Sequence, residues 1–349
     1  MHTVTITQTF TCHLFDLLPG TYICEDNISA QILMRAKRGT CSVTNMVTRL
    51  NDEDPKRVLI VKSGAYGDLL MLTPSIRRFK EVYPDCHVSV ACLNQYKPIL
   101  LNSVVDELVD YPVNELDITR NGYDCIIYIE NAIEGNDEAN TMHGVDALAL
   151  QMGLSPILNK RPVYEVTEFE AEWAKARYPR NEQKRVAVHV SASMPNRNYP
   201  EALMTQVIID LIRKGYEVFL LGAPAQWRVK NVKGLTNLML ENLDIRKSIA
   251  AMATCDVLLA PDSVMLHVAS AIGMKGVGLF GPVPWSTRVT SDKIHCLQGT
   301  TGCTPCCFAG DAFTGPYPAH CPSKTKNMCA LLADIKPERI VTKVQLLLK

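Results

Sequence analysis

Two short stretches carry side chains whose types and spacing suit chemistry. In Pro261-Asp262-Ser263-Val264-Met265-Leu266-His267 an acid and a hydroxyl precede an apolar helical run. His267 lies one turn on from Ser263, within reach of the same ligand. A helix start with exposed backbone N–H groups favours a phosphate, and the Ser263 hydroxyl adds a donor there. The structural alternative is that Asp262 and Ser263 only cap the helix and His267 only packs. In Ser63-Gly64-Ala65-Tyr66-Gly67-Asp68 two glycines allow close approach of a backbone or a ligand, and Asp68 falls in the first turn of the following helix. An acid there faces the crevice above a sheet; its alternative is to complement the helix dipole, worth roughly 0.3–1 kcal/mol.

The elements that must hold these groups are legible as alternating strands and helices. Val257, Leu258 and Leu259 form an apolar run stopped by Pro261, as a strand buried on both faces would be. A helix through Met265, Leu266, Val268, Ala269 and Ile272 stops at Gly273, and a second apolar run from Gly276 to Phe280 ends at Gly281-Pro282. That is one βαβ unit, with its polar residues at the carboxyl end of a strand. The run from Arg57 to Lys62, the glycine-bearing turn and the helical pattern through Leu69, Leu72, Ile76 and Phe79 open another such domain. Further alternation predicts a parallel, doubly wound sheet in each half. The expected division is a small N-terminal module (1–50), a linker at Asn51 to Pro55, a Rossmann-like domain (56–160), a second Rossmann-like domain (183–335) and a final helix (336–349). The mixed pattern from Arg161 to Arg180 reads as the connection between the two halves.

The N-terminal module predicts β-rich runs from Val4 to Phe10 and from Thr21 to Cys24 around Pro19-Gly20, then a brief helix from Ile28 to Ala36. This layout resembles small β-hairpin-plus-helix modules of bacteriophage proteins, which implies a viral or prophage source and a docking role. The alternative is an extension packed on the main fold.

Charge and apolar content restrict the classes. With 36 basic and 36 acidic residues no whole-protein field draws the chain to nucleic acid or anionic membrane. No apolar stretch is long enough to span a bilayer, and the N-terminus lacks the regions of a signal peptide, so a cytoplasmic location in a bacterial cell is expected. Thirteen cysteines are present. Most stand singly in apolar segments, where a thiol acts as a small hydrophobe. Cys303 and Cys306 form a Cys-x-x-Cys pair with Cys321 and Cys329 downstream, a set able to hold a structural zinc ion; free thiols or disulfides are the alternative.

With these residues in hand, the chain over 56–349 resembles glycosyltransferase family 9, the heptosyltransferases that use ADP-heptose. The likeness rests on Gly64 to Asp68 with Thr73-Pro74, Arg197-Asn198-Tyr199-Pro200, Gly222-Ala223-Pro224, Asp262-Ser263 with His267, and Leu279-Phe280-Gly281-Pro282. It implies a GT-B architecture of two Rossmann-like domains facing across a cleft. It also implies inverting, metal-independent transfer from a nucleotide-diphosphate sugar, an ADP-sugar being favoured, to a hydroxyl acceptor, with no cofactor required. By the same resemblance the first domain holds the acceptor, through Gly64, Tyr66, Gly67 and the general base Asp68, and the second holds the donor, through Ser191, Ser193, Arg197, Gly222, Asp262, Ser263, His267 and Gly281. The final helix is expected to cross back to the first domain. Three positions depart from the family pattern: Arg197 stands for a lysine, Tyr199 for a tryptophan and Val264 for a glycine, and Val264 narrows the space for a heptose. The expected acceptor is a cell-surface glycan or, if the N-terminal module is viral, hydroxymethylated bases of phage DNA, with Arg77, Arg78 and Lys80 as the basic face. A non-catalytic nucleotide-sugar-binding protein and a sugar-nucleotide epimerase are the rival readings.

Overall fold

The computed structural model describes residues 2–6, 10–11, 16–24, 41–45, 54–129, 132–133, 141–222, 232–300, 302–306 and 328–349. The expected helix at Ile28 to Ala36, the Ala223-Pro224 turn, Cys307 and Cys321 lie outside them. The chain divides into two compact units, Met1–Ile133 with Val145–Leu158, and Glu134–Gly144 with Asn159–Lys349.

In the first unit the N-terminal strands β1 (His2–Ile6), β2 (Phe10–Thr11), β3 (Asp16–Leu17), β4 (Gly20–Cys24) and β5 (Cys41–Asn45) are followed by the parallel strands β6 (Arg57–Val61), β7 (His87–Cys92) and β8 (Glu107–Asp110), then β9 (Val113–Asn114) and β10 (Cys125–Tyr128). The parallel sheet has the order β10-β6-β7-β8. Its strands read as unbroken apolar runs because both faces are covered: Val58, Leu59 and Ile60 expose nothing to solvent.

The N-terminal strands do not stand apart as a module. They form an antiparallel sheet in the order β5-β1-β4-β9, whose last member comes from the main body. Ile6, Leu17 and Tyr22 share one apolar cluster with Leu59, Val61, Leu93, Tyr111 and Val113. The segment is therefore part of the first unit's core.

The helix Tyr66–Val82 lies over this sheet on Leu69, Leu70, Leu72, Ile76 and Phe79 and carries Pro74 in its interior. Proline has no N–H to give the carbonyl four residues back. Here Thr73 Oγ1 donates to that carbonyl, Leu70 O, at 2.7 Å and makes good the loss. The Thr73-Pro74 pair is thus a self-consistent helix insert, and the helix continues to Val82.

The second unit adds β11 (Arg185–His189), β12 (Glu217–Leu221), β13 (Leu235–Asn237), β14 (Val257–Pro261), β15 (Lys275–Phe280) and β16 (Ile294–Gln298). All pair in parallel, in the order β13-β12-β11-β14-β15-β16. The strand order reverses between β11 and β14, and in such sheets ligands bind beyond the carboxyl ends of the strands flanking the reversal. In the first unit the corresponding place is beyond β6 and β10.

Two expectations need correction here. The connection from Arg161 to Arg180 contains a helix, Glu168–Arg177, opened by a Thr167/Glu170 capping box. Arg246, on the helix Ile245–Ala253, bonds the Glu170 carboxylate and covers the Tyr164 ring at 5.1 Å, so the segment is fixed to the second unit. The final helix, expected to cross to the first domain, belongs to the second unit. Pro337–Leu348 buries Ile340, Val341, Val344 and Leu347 in the same cluster as Val257, Leu259, Val277 and Leu279.

Candidate active site

Beyond β6 the chain turns through Gly64 into the helix that carries Asp68. Lys62, only 5 % exposed, places its ammonium 3.6 Å from Asp68 Oδ2. No hydrogen bond reaches the Asp68 carboxylate among the described residues, and the side chain is 24 % exposed, so its oxygens stay open to a ligand hydroxyl. Tyr66 donates to Gln95 O at 2.6 Å and sets its ring edge-on to Tyr96, the centroids 4.8 Å apart. Gly67 lies in the first helical turn beside them. A Cβ on Gly64 would stand 2.3 Å from Tyr96 Cε2, so only glycine fits under that ring. Gly64→Ala should cost about 1–3 kcal/mol in thermal unfolding, because the ring wedged against Tyr66 must move. Adding Tyr96→Ala should recover most of it; a single variant as stable as the native protein would refute this packing.

In the second unit the reversal point gathers polar groups from two strands. β14 ends at Pro261, and Asp262 and Ser263 lead into the helix Val264–Ile272. Asp262 is 4 % exposed and accepts from Arg197 Nη1 at 3.2 Å. Arg197, at the end of the short turn Pro195–Arg197, also donates through Nη2 to Ser193 Oγ at 2.5 Å. Burial alone pushes the Asp262 carboxyl up, but the Arg197 and Arg288 guanidiniums and the His267 ring outweigh it and hold the group below the usual carboxylate range. Two guanidiniums act on this one carboxylate, which leaves a positive excess at the start of a helix without acid in its first turn. Such a place favours an anion.

Ser263 stands at the N-cap of that helix, yet its side chain makes no capping bond. Its Oγ lies 3.1 Å from Nδ1 of His189, the last residue of β11. Burial pushes the His189 pKa down to about 4, so the ring is neutral near pH 7. The strand neighbouring β14 thus contributes directly to the loop.

The remaining expected site residues divide. Ser191, just past β11, is buried beside Gly222, where a Cβ would lie 3.3 Å from Ser191 Oγ and 3.0 Å from Met239 Sδ. His267 is buried one turn into the helix. Gly281 is held by packing: a Cβ there would stand 2.8 Å from Leu332 Cγ, and its carbonyl accepts from Gln298. Tyr199 is a core residue, 4 % exposed, with its hydroxyl donating to Ile335 O at 2.5 Å. Asn198 closes the preceding loop by accepting from Ala192 N at 2.6 Å.

Sequence reasoning missed two members. His189 carried a signal, a polar residue closing an otherwise apolar strand next to the reversal. Arg288 carried none, since Trp285 to Arg288 has no period; its 8 % exposure and its effect on Asp262 appear only in three dimensions.

Cys303, Cys306 and Cys329 are free thiols. Burial raises the Cys329 pKa first, and Cys306 and Cys303 are near enough to raise it further. Among the described residues no group of three or more histidine, cysteine or acidic side chains is arranged to hold a metal ion, and no helix is long and apolar enough to cross a membrane.

Residues 147–315 match the model of glycosyltransferase family 9 (heptosyltransferase). No curated protein sequence matches the chain. Among solved structures, the ADP-heptose lps heptosyltransferase II of E. coli superposes with a TM-score of 0.64 at 18% identity, covering 84% of this chain and 98% of its own. The iron-containing dodecameric glycosyltransferase TibC of enterotoxigenic E. coli H10407 covers 99% of this chain and 91% of its own, with a TM-score of 0.61 at 13% identity. TibC, described as a heptosyltransferase in complex with ADP-D-beta-D-heptose, gives a TM-score of 0.58, also at 13% identity, over 99% of this chain and 90% of its own. At these identities the likeness is one of fold. The α/β architecture of two parallel-sheet units is the one expected.

Proposed function

We propose that this protein, whose residues 147–315 match the model of glycosyltransferase family 9 (heptosyltransferase), transfers a heptose or hexose from a nucleotide-diphosphate sugar, ADP-heptose foremost, to a hydroxyl acceptor. The observation that carries the reading is the cluster at the strand reversal of the second unit. There Arg197 and Arg288 flank the buried Asp262 at the start of a helix with Ser263 at its N-cap. In this reading the donor diphosphate lies against the Arg197 guanidinium, the Ser263 hydroxyl and the first-turn N–H groups, with Ser191, Ser193 and Gly222 on the neighbouring strand ends. A fixed cation neutralises the charge that develops on the departing nucleotide, the task a bound metal performs elsewhere. Asp68 takes the proton from the acceptor hydroxyl as that oxygen attacks C1, in a single displacement that inverts the anomeric centre.

The acceptor is a glycan hydroxyl in this reading. On the helix expected to face DNA, Arg78 pairs with Glu81 at 3.0 Å and Lys80 with Asp106 at 2.6 Å, so two of the three basic residues are already compensated. For the cysteines, a structural zinc ion on Cys303, Cys306, Cys321 and Cys329 is one reading and free thiols the other; Cys321 lies outside the described residues.

The direct test is thermal unfolding against ADP-heptose and a panel of GDP-, UDP- and CMP-sugars. A ligand at ~100 times its dissociation constant adds roughly 2.7 kcal/mol. Stabilisation by ADP-heptose, with sugar release only when an acceptor glycan is added, is expected. Stabilisation by no nucleotide sugar would overturn the reading, and product formed without acceptor would move it to an epimerase.

A further inference from the structure

Serine at an N-cap position ordinarily turns its hydroxyl onto the N–H groups two or three residues ahead, and doing so satisfies the helix start. Ser263 has the extended backbone of an N-cap, φ −155° and ψ 168°, and makes no such bond. Its hydroxyl is instead engaged by His189 Nδ1 at 3.1 Å, from the adjacent strand. Leu266 N takes the Ser263 carbonyl at 3.1 Å, which leaves the N–H groups of Val264 and Met265 with no partner among the described residues. His189 is 7 % exposed, so the ring cannot turn aside to solvent, and as a neutral ring it bonds a hydroxyl in either tautomer.

We propose that His189 is a positioning residue for donor binding, which holds the Ser263 hydroxyl off its own helix and so keeps the first-turn N–H groups open to a phosphate oxygen of a nucleoside diphosphate. The inference rests on the reading of this place as the donor site and assigns a part to a residue that reading does not use. Capping and ligand binding compete for the same N–H groups. A serine free to cap would close the place that the helix start offers an anion. The histidine removes the competitor and, by the same bond, orients the hydroxyl toward the loop.

The test is a double-mutant cycle read in the dissociation constant for ADP by calorimetry. His189→Phe frees Ser263 to cap and should weaken ADP binding about tenfold, the scale of one hydrogen bond to a charged group. In a Ser263→Ala background no hydroxyl is left to cap, so adding His189→Phe should change ADP binding less than twofold. His189→Asn, which places a polar atom near the position of Nδ1, should retain native affinity and shows that a folded variant at this site can bind. Losses that simply add in the double variant would overturn the proposal in favour of a packing role, as would native affinity in His189→Phe. A native protein that binds none of ADP, GDP and UDP overturns the donor-site reading itself, and this inference with it.

Discussion

Asp68→Asn is expected to bind the donor sugar as the native protein does and to transfer it about 10²–10⁴ times more slowly. The carboxamide keeps the shape of the carboxylate but cannot take a proton. The argument for so large an effect is positional. Asp68 sits beyond β6, at the first unit's own strand reversal, in the first turn of a helix anchored by Leu69, Leu70 and Leu72. The Lys62 ammonium lies 3.6 Å from Oδ2, and no other polar group is aimed at the carboxylate among the described residues. An aspartate kept only for the helix dipole would lose at most about 1 kcal/mol of stability on neutralisation, and turnover would stay near its native value. Single-turnover transfer from ADP-heptose, beside ADP binding by calorimetry, separates the two. A fall in kcat with an unchanged donor constant supports the base; an unchanged kcat removes Asp68 from the chemistry.

The second large effect is on stability against pH. The unfolded imidazole of His189 takes up a proton near pH 6.5, whereas the folded ring, buried at the end of β11, does so only near 4. Between those values the unfolded chain binds a proton that the folded protein refuses, so stability falls as the pH is lowered across this window. At about 1.4 kcal/mol per pH unit, the loss from 6.5 to 4 is about 3 kcal/mol. The carboxylates act elsewhere: the folded values of Asp262, Asp256 and Asp106 are lowered, so their contributions persist above pH 4 and fade only below it. Urea unfolding at pH 7, 5.5 and 4.5 should therefore show a slope that His189→Asn abolishes. The same slope in that variant would assign it to another group.

The two parallel sheets were legible because their signals are local. Apolar runs such as Val58 to Val61 and Val257 to Leu259, each closed by a glycine-bearing turn or a proline, specify buried strands without reference to the rest of the chain. The places of Asp262 and Ser263 at a strand end, and of Asp68 in the first helical turn past the glycine-bearing turn, were legible for the same reason. The helix Glu168–Arg177 was missed although Thr167 and Glu170 spell a capping box, because Pro162 and Pro179 around it read as a connection. What could not be read was pairing at long range. That β9 would complete the N-terminal sheet, that Arg288 would act on Asp262, or that the tail helix would stay with the second unit depends on contacts between residues far apart in the chain. The N-terminal segment illustrates the limit: its strands follow from composition, while its incorporation into the first core depends on Ile23 pairing with Val113 and on Tyr22 joining the same apolar cluster.

The last helix also bears on how the protein is made. The sheet of the second unit is complete in sequence at Gln298, yet Val277 and Leu279 on β15 and Val257 and Leu259 on β14 share their core with residues of Pro337–Leu348. On the ribosome this apolar face remains uncovered until those residues emerge, so the unit that we assign to the donor closes its core late, and the nascent chain must be kept from sticking to its neighbours until then.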